Sequence, residues 1–218
     1  MRPTKTIFRE AEVLSAKATR ARYGAMVVVV ASIGGCASQS PPTSPPCEQD
    51  CKDGVALRAL RETIKYAFNL IVQNQPVGPQ DGSIELPLGG KARVFGVATA
   101  DLLQGVSNVD LTYEFTNVHN LHKDDTPEQN YDVIVDGTLT QKGIIAVQPS
   151  STTALTIETA AQDSGSEGST GISIVGDVYD PPIHYEAGID GSRCTVAATQ
   201  NGNNVSGYFC GRKAGFSF

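Results

Sequence analysis

The chain has 218 residues, a formal net charge of −6, three histidines, five cysteines and no tryptophan. An acidic surface repels phosphate backbones, which excludes nucleic acid as an expected partner. No Gly-x-Ser-x-Gly, His-Glu-x-x-His, Gly-x-x-x-x-Gly-Lys-Ser/Thr or Gly-x-Gly-x-x-Gly pattern occurs, so no catalytic residue, cofactor or enzymatic activity is assigned.

At the N-terminus, Arg2, Lys5, Arg9, Lys17, Arg20 and Arg22 against Glu10 and Glu12 leave the leader positive. An apolar run from Ala25 to Ile33 follows and ends in Gly34-Gly35-Cys36. That run is far short of the roughly 20 residues a membrane-crossing helix needs. A short buried strand would leave the basic flank and the small residues unexplained, whereas a signal peptide accounts for both. Val27 to Cys36, VVVVASIGGC, resembles the lipobox of bacterial lipoproteins, which are cleaved before a cysteine carrying a lipid thioether. The resemblance implies a signal peptide over 1–35, lipidation of Cys36 and a membrane anchor in the bacterial cell envelope. Ala37 and Ser38 follow with no Asp, which by resemblance to the enterobacterial sorting rule favours the outer membrane. Cleavage there leaves 183 residues with 11 basic and 21 acidic side chains, a net charge of −10.

With Cys36 lipidated, Cys47, Cys51, Cys194 and Cys210 remain, an even number that suits two disulfides in an oxidising compartment. The rival is zinc, but the spacing lacks the tight pairs of zinc knuckles. Ala37 to Pro46, ASQSPPTSPP, buries no apolar area and reads as a spacer, so residues 36–52 are taken as lipidated cysteine plus tether. The single domain is expected over 53–218.

One amphipathic helix is expected from Val55 to Gln73. Leu57, Leu60, Ile64, Ala67, Phe68 and Ile71 recur on one face, and Arg58, Arg61, Glu62, Lys65 and Asn69 are assigned to the solvent face. Asp53 is expected to cap the start, and Asn74-Gln75-Pro76 to end it. Because four residues along a regular helix strain a disulfide, the chain from Cys47 to Cys51 is expected to be non-helical.

After Pro76 the apolar period becomes two. Val109 to Thr116 and Tyr131 to Thr140 alternate cleanly; shorter runs cover Leu155 to Thr159, Ile172 to Val178 and Tyr185 to Ile189. Ala92 to Ala98 is apolar on both faces and reads as a central strand. Turns are expected at Asp81-Gly82, Gly89-Gly90, Asp136-Gly137, Asp163 to Gly171, Pro181-Pro182 and Asp190-Gly191. Near the C-terminus, Asn201-Gly202-Asn203 marks a hairpin. Pairing Gln200 with Asn204 sets Cys194 opposite Cys210 and Val196 opposite Tyr208, which predicts a Cys194–Cys210 disulfide and leaves Cys47 with Cys51.

Strands in succession around one helix imply a mainly β (α+β) fold: a curved antiparallel sheet or half-barrel meander packed on the N-terminal helix. One helix, about 10 Å wide, covers two to four strands spaced nearly 5 Å apart. The others must curl around it, close into a barrel or fold into a sandwich. The periplasmic lipoprotein carriers are similar at the level of this plan, without shared motifs. His119, His122, Asp124 and Asp125 are the weak candidates for a metal, set against the plainer reading of a solvated loop between two strands. Two functions remain expected. One is a lipid-anchored envelope protein with a non-enzymatic binding or structural role toward an envelope partner. The other is a carrier or sensor of an apolar small molecule, with Leu57, Leu60, Ile64, Phe68 and Ile71 as the ligand-facing residues. An open apolar cavity under the helix would favour the second.

Overall fold

The computed structural model describes residues 46–73, 75–101, 106–146, 152–159, 171–188 and 193–218. Cys36, the expected leader and most of the expected tether lie outside that set, as do the turns expected at Asp163 to Thr170 and Asp190-Gly191. Chain order is α1 (Gln49–Ile71), β1 (Gly78–Glu85), β2 (Lys91–Asp101), β3 (Val106–His122), β4 (Tyr131–Ala146), β5 (Ala154–Thr159), β6 (Gly171–Val178), β7 (Ile183–Ala187), β8 (Val196–Asn201), β9 (Asn204–Phe209) and β10 (Arg212–Ser217). All of these belong to one compact unit, Ser44–Phe218.

The helix begins six residues before the expected start, inside the segment taken as tether. Glu48 at its N-cap is extended and makes no side-chain cap bond. The Cys47–Cys51 disulfide spans this point, joining the non-helical Cys47 to the first turn, so only half of the pair is non-helical. Asp53 is therefore no cap. It lies within the helix, 0% exposed, and its carboxylate accepts from Arg212 Nε (2.5 Å) and Nη2 (2.9 Å), the Tyr185 hydroxyl (2.7 Å) and Gln49 Nε2 (2.9 Å). Burial opposes its ionisation, but the hydrogen bonds from Arg212, Tyr185 and Gln49 outweigh burial and hold the carboxyl below its usual range. One helical carboxylate thus joins α1 to β7 and to the start of β10.

The strands form one open antiparallel sheet in the order β1-β2-β3-β4-β5-β8-β9-β10, with β6 and β7 branching from β4. The branch arises because β4 changes neighbour along its length: Tyr131–Thr138 pairs with β6 and Leu139–Ile144 with β5. Asp136-Gly137 sits at this change and is a kink, not the expected turn. Opposite it β3 carries a bulge, pairing stepping from Phe115↔Gly137 to Val118↔Val135 with Asn117 at φ 48°. The Asp136 carboxylate accepts the Asn117 N–H at 3.1 Å and pairs with the Arg193 guanidinium. Gly137 has φ 128°, and a Cβ there would stand 2.1 Å from the Gly171 carbonyl oxygen.

The C-terminal hairpin differs from the expected register by one residue. Asn201 pairs with Asn204 around Gly202-Asn203, so Val196 faces Phe209. A one-residue slip exchanges the two faces of a strand, and the expected register would have turned Tyr208, which is exposed, toward the core. Cys194 and Cys210 are nevertheless bonded. Cys210 and Gly211 form the β9–β10 turn with φ 51° and 74°, which takes Cys210 out of the strand and over to Cys194. Cys194 also exchanges both backbone hydrogen bonds with Ile172, so this cysteine ties the β6 branch to the β8–β10 branch.

Helix α1 packs most closely on β10 and also meets β1, β2, β3, β4 and β6. Gly54 permits the approach: a Cβ there would lie 3.2 Å from the Gly215 carbonyl oxygen. Leu57, Leu60 and Ile64 are fully buried among Leu111, Tyr113, Leu139, Ile157 and Phe209. The outer face expected for the helix is only partly solvent. Arg58 stacks 4.8 Å above the Phe216 ring and donates to the Ser217 carbonyl at 2.6 Å, and Arg61 is buried. Strand β2 also differs from expectation, because Arg93 and Val97 face outward and one face alone is buried.

Candidate ligand cavity

The strands outrun the helix. Seventeen residues of β3 span about 55 Å at ~3.3 Å each, whereas the 23 residues of α1 span about 35 Å. Beyond the last turns of α1 no other described helix continues its cover of the concave face, and a cavity of about 460 Å³ opens there among the described residues. Its apolar wall includes Phe68, Val72, Ala98, Ile145 and Phe218, and its polar wall includes Arg61, Lys65, Gln141 and Gln200. The volume falls within the usual range of about 300–1,000 Å³ for small-molecule sites.

Apart from the exposed Lys65, these polar side chains are buried. Arg61 is 7% exposed, and Gln141 and Gln200 are each 1% exposed. Arg61 Nε donates to Gln200 Oε1 at 2.6 Å, and Gln200 Nε2 donates to the Gly202 carbonyl at 2.9 Å. Behind them the fully buried Tyr113 donates its hydroxyl to Gln141 Oε1 at 2.7 Å. Burial lowers the affinity of Arg61 for its proton, opposed by the charge of Glu62; burial likewise raises the Tyr113 hydroxyl well above its usual value. A buried charge of this kind is costly unless something compensates it.

Of the five helix residues expected to face a ligand, Phe68 alone lines the cavity. Leu57, Leu60 and Ile64 are spent on the core, and Ile71 packs over β1 against Gly82. The chain's distinctive cavity residues are instead the ones assigned to solvent or to no role: Arg61, Lys65, Gln141 and Gln200.

The histidines are engaged elsewhere, away from the cavity. His119 and His122 lie within β3, which runs further than expected, and not in a loop. His119 Nε2 meets Asp132 at 2.5 Å, and His122 Nε2 meets Asp124 at 3.1 Å. Asp124 also accepts the Thr126 N–H, and that bond with the His122 contact keeps its carboxyl below the usual range; Asp125 is exposed beside it. Three residues apart on a strand, the two imidazoles point to opposite faces. Among the described residues no group of three or more His, Cys, Asp or Glu is placed to hold a metal ion.

Comparison with known proteins found no match to a family model, a curated protein or a solved structure, so the chain's own chemistry carries the functional reading.

Proposed function

We propose that this chain is a lipid-anchored protein of the bacterial envelope, non-enzymatic, whose folded unit holds a small apolar or amphipathic molecule as carrier or sensor. The observation that carries this reading is the cavity of about 460 Å³ between the end of α1 and the ends of β2, β3 and β4 that lie beyond the helix. A purely structural or partner-binding role would be better served by a core filled to the end of the helix, as it is filled around Leu60. Among the described lining residues there is no His, Cys, Asp or Glu to move a proton, which supports binding over chemistry. Two disulfides support an oxidising compartment, and the Cys36 lipobox supports the anchor.

The test is a titration with the neutral apolar dye N-phenylnaphthylamine, whose fluorescence rises on leaving water. Saturable binding is expected in the wild type. Ala98→Phe, which fills the cavity from its buried wall, is expected to abolish it without lowering the unfolding midpoint. Equal dye binding by the variant would refute this site. Anchoring is tested separately: Cys36→Ser should abolish fatty-acid labelling, and unchanged labelling would remove the lipoprotein reading.

A further inference from the structure

The polar wall of the cavity carries a second inference, which rests on the cavity being a ligand site. Arg61 is more than nine-tenths buried and has no carboxylate within ion-pair distance among the described residues. Its nearest acidic neighbour in sequence, Glu62, is engaged by Lys65 at 3.1 Å. Only Nε of its guanidinium is bonded, to Gln200; the Nη nitrogens donate to none of the described residues. Gln141 is in a similar position, since its Oε1 accepts from Tyr113 while its Nε2 donates to none of the described residues. Both nevertheless line the cavity.

Burying a cation without a counter-charge is strongly unfavourable, and buried polar donors are almost always satisfied. Here the Arg61 guanidinium and the Gln141 amide border one open volume. Lys65 is the second cation among the described lining residues, and none of them is Asp or Glu, although acids outnumber bases along the chain. The guanidinium presents a planar fork of N–H groups that matches the two oxygens of a carboxylate or phosphate. Apolar walls at Phe68, Val72, Ile145 and Phe218 complete the same volume. We propose that the ligand is an amphipathic oxyanion, its head group on Arg61 and the Gln141 amide and its tail along the apolar wall.

The test measures binding of dodecanoate, dodecyl phosphate, dodecanol and dodecylammonium to the full chain, below their micelle concentrations. An ionic hydrogen bond in a buried site corresponds to a preference of about tenfold to a hundredfold. At least one oxyanion is therefore expected to bind at least ~10-fold more tightly than dodecanol, with dodecylammonium weakest. Whichever of carboxylate and phosphate binds better names the head group. Arg61→Gln is expected to bring the oxyanion to the affinity of dodecanol while leaving dodecanol itself unchanged. Dodecanol binding as tightly as both oxyanions to the wild type would overturn the anionic assignment and leave the cavity standing as an apolar site. Binding of none of the four would overturn both. The wild-type series alone decides the matter should Arg61→Gln fail to fold.

Discussion

Arg212→Met removes the cation that reaches Asp53 while keeping most of the side chain's apolar bulk. Asp53 stays fully buried, with Tyr185 and Gln49 as its remaining donors. Stranding a buried charge costs about 3–5 kcal/mol. Arg212 reaches Asp53 from a side chain that is 44% exposed, so water already weakens the pair and the lower end applies, about 3 kcal/mol. For a unit of this size that lowers the melting temperature by about 6–12 °C. The pH dependence is the sharper readout. In the wild type the Asp53 carboxyl is held below its reference value of 3.8, so its contribution is complete above that pH and is lost as the pH falls through the lowered value. Without Arg212, burial dominates and raises the carboxyl above 3.8, so protonation on acidification relieves the variant. The stability gap between wild type and variant should therefore narrow between about pH 7 and about pH 4, measured by urea unfolding. A gap that stays constant, or a loss below about 1 kcal/mol, would refute the view that Arg212 neutralises a buried carboxylate.

Leu60→Ala, at the fully buried centre of the helix face, should cost about 2–5 kcal/mol, whereas Tyr66→Ala on the exposed side should stay within about 0.5; chemical denaturation separates them. Replacing both Cys194 and Cys210 with Ala opens a closed loop with a sequence separation of 16 and should cost about 3 kcal/mol in the chain-entropy model, read as a lower thermal midpoint. Gly137→Ala should cost more than about 1 kcal/mol, because its φ of 128° and the nearby Gly171 carbonyl leave no room for a methyl group; an unchanged midpoint would mean that the β4 kink relaxes freely.

Much of the architecture was legible because apolar period survives wherever one face is buried. Val109 to Phe115 and Tyr131 to Leu139 alternate as they pack, and Leu57, Leu60, Ile64 and Ala67 share the face that meets the sheet. The edges were not legible. Strand β1 carries Gly78-Pro79 and Asp81-Gly82, and β10 is a short Gly-containing run; edge strands tolerate such residues, so they read as loop. Asp136-Gly137 has the composition of a turn and the role of a kink, and only the bulge at Asn117 tells the two apart. The cavity residues were hidden by their polarity, although their spacing pointed inward. Arg61 follows Leu57 by four and precedes Ile64 by three, on the apolar stripe, and Gln141 and Gln200 follow Leu139 and Ala198 by two. A polar residue in register with a buried face was the available sign of the site.

Chemical-shift mapping of the isotope-labelled protein titrated with dodecanol tests most directly whether the end of the sheet beyond α1 is the ligand site. Saturable shifts are expected at Phe68, Val72, Ala98, Ile145 and Gln200, with Leu57 and Leu60 at the filled end of the helix unmoved. Shifts confined to the outer face around Val97, Ile134 and Tyr208, or no saturable shifts at all, would contradict it.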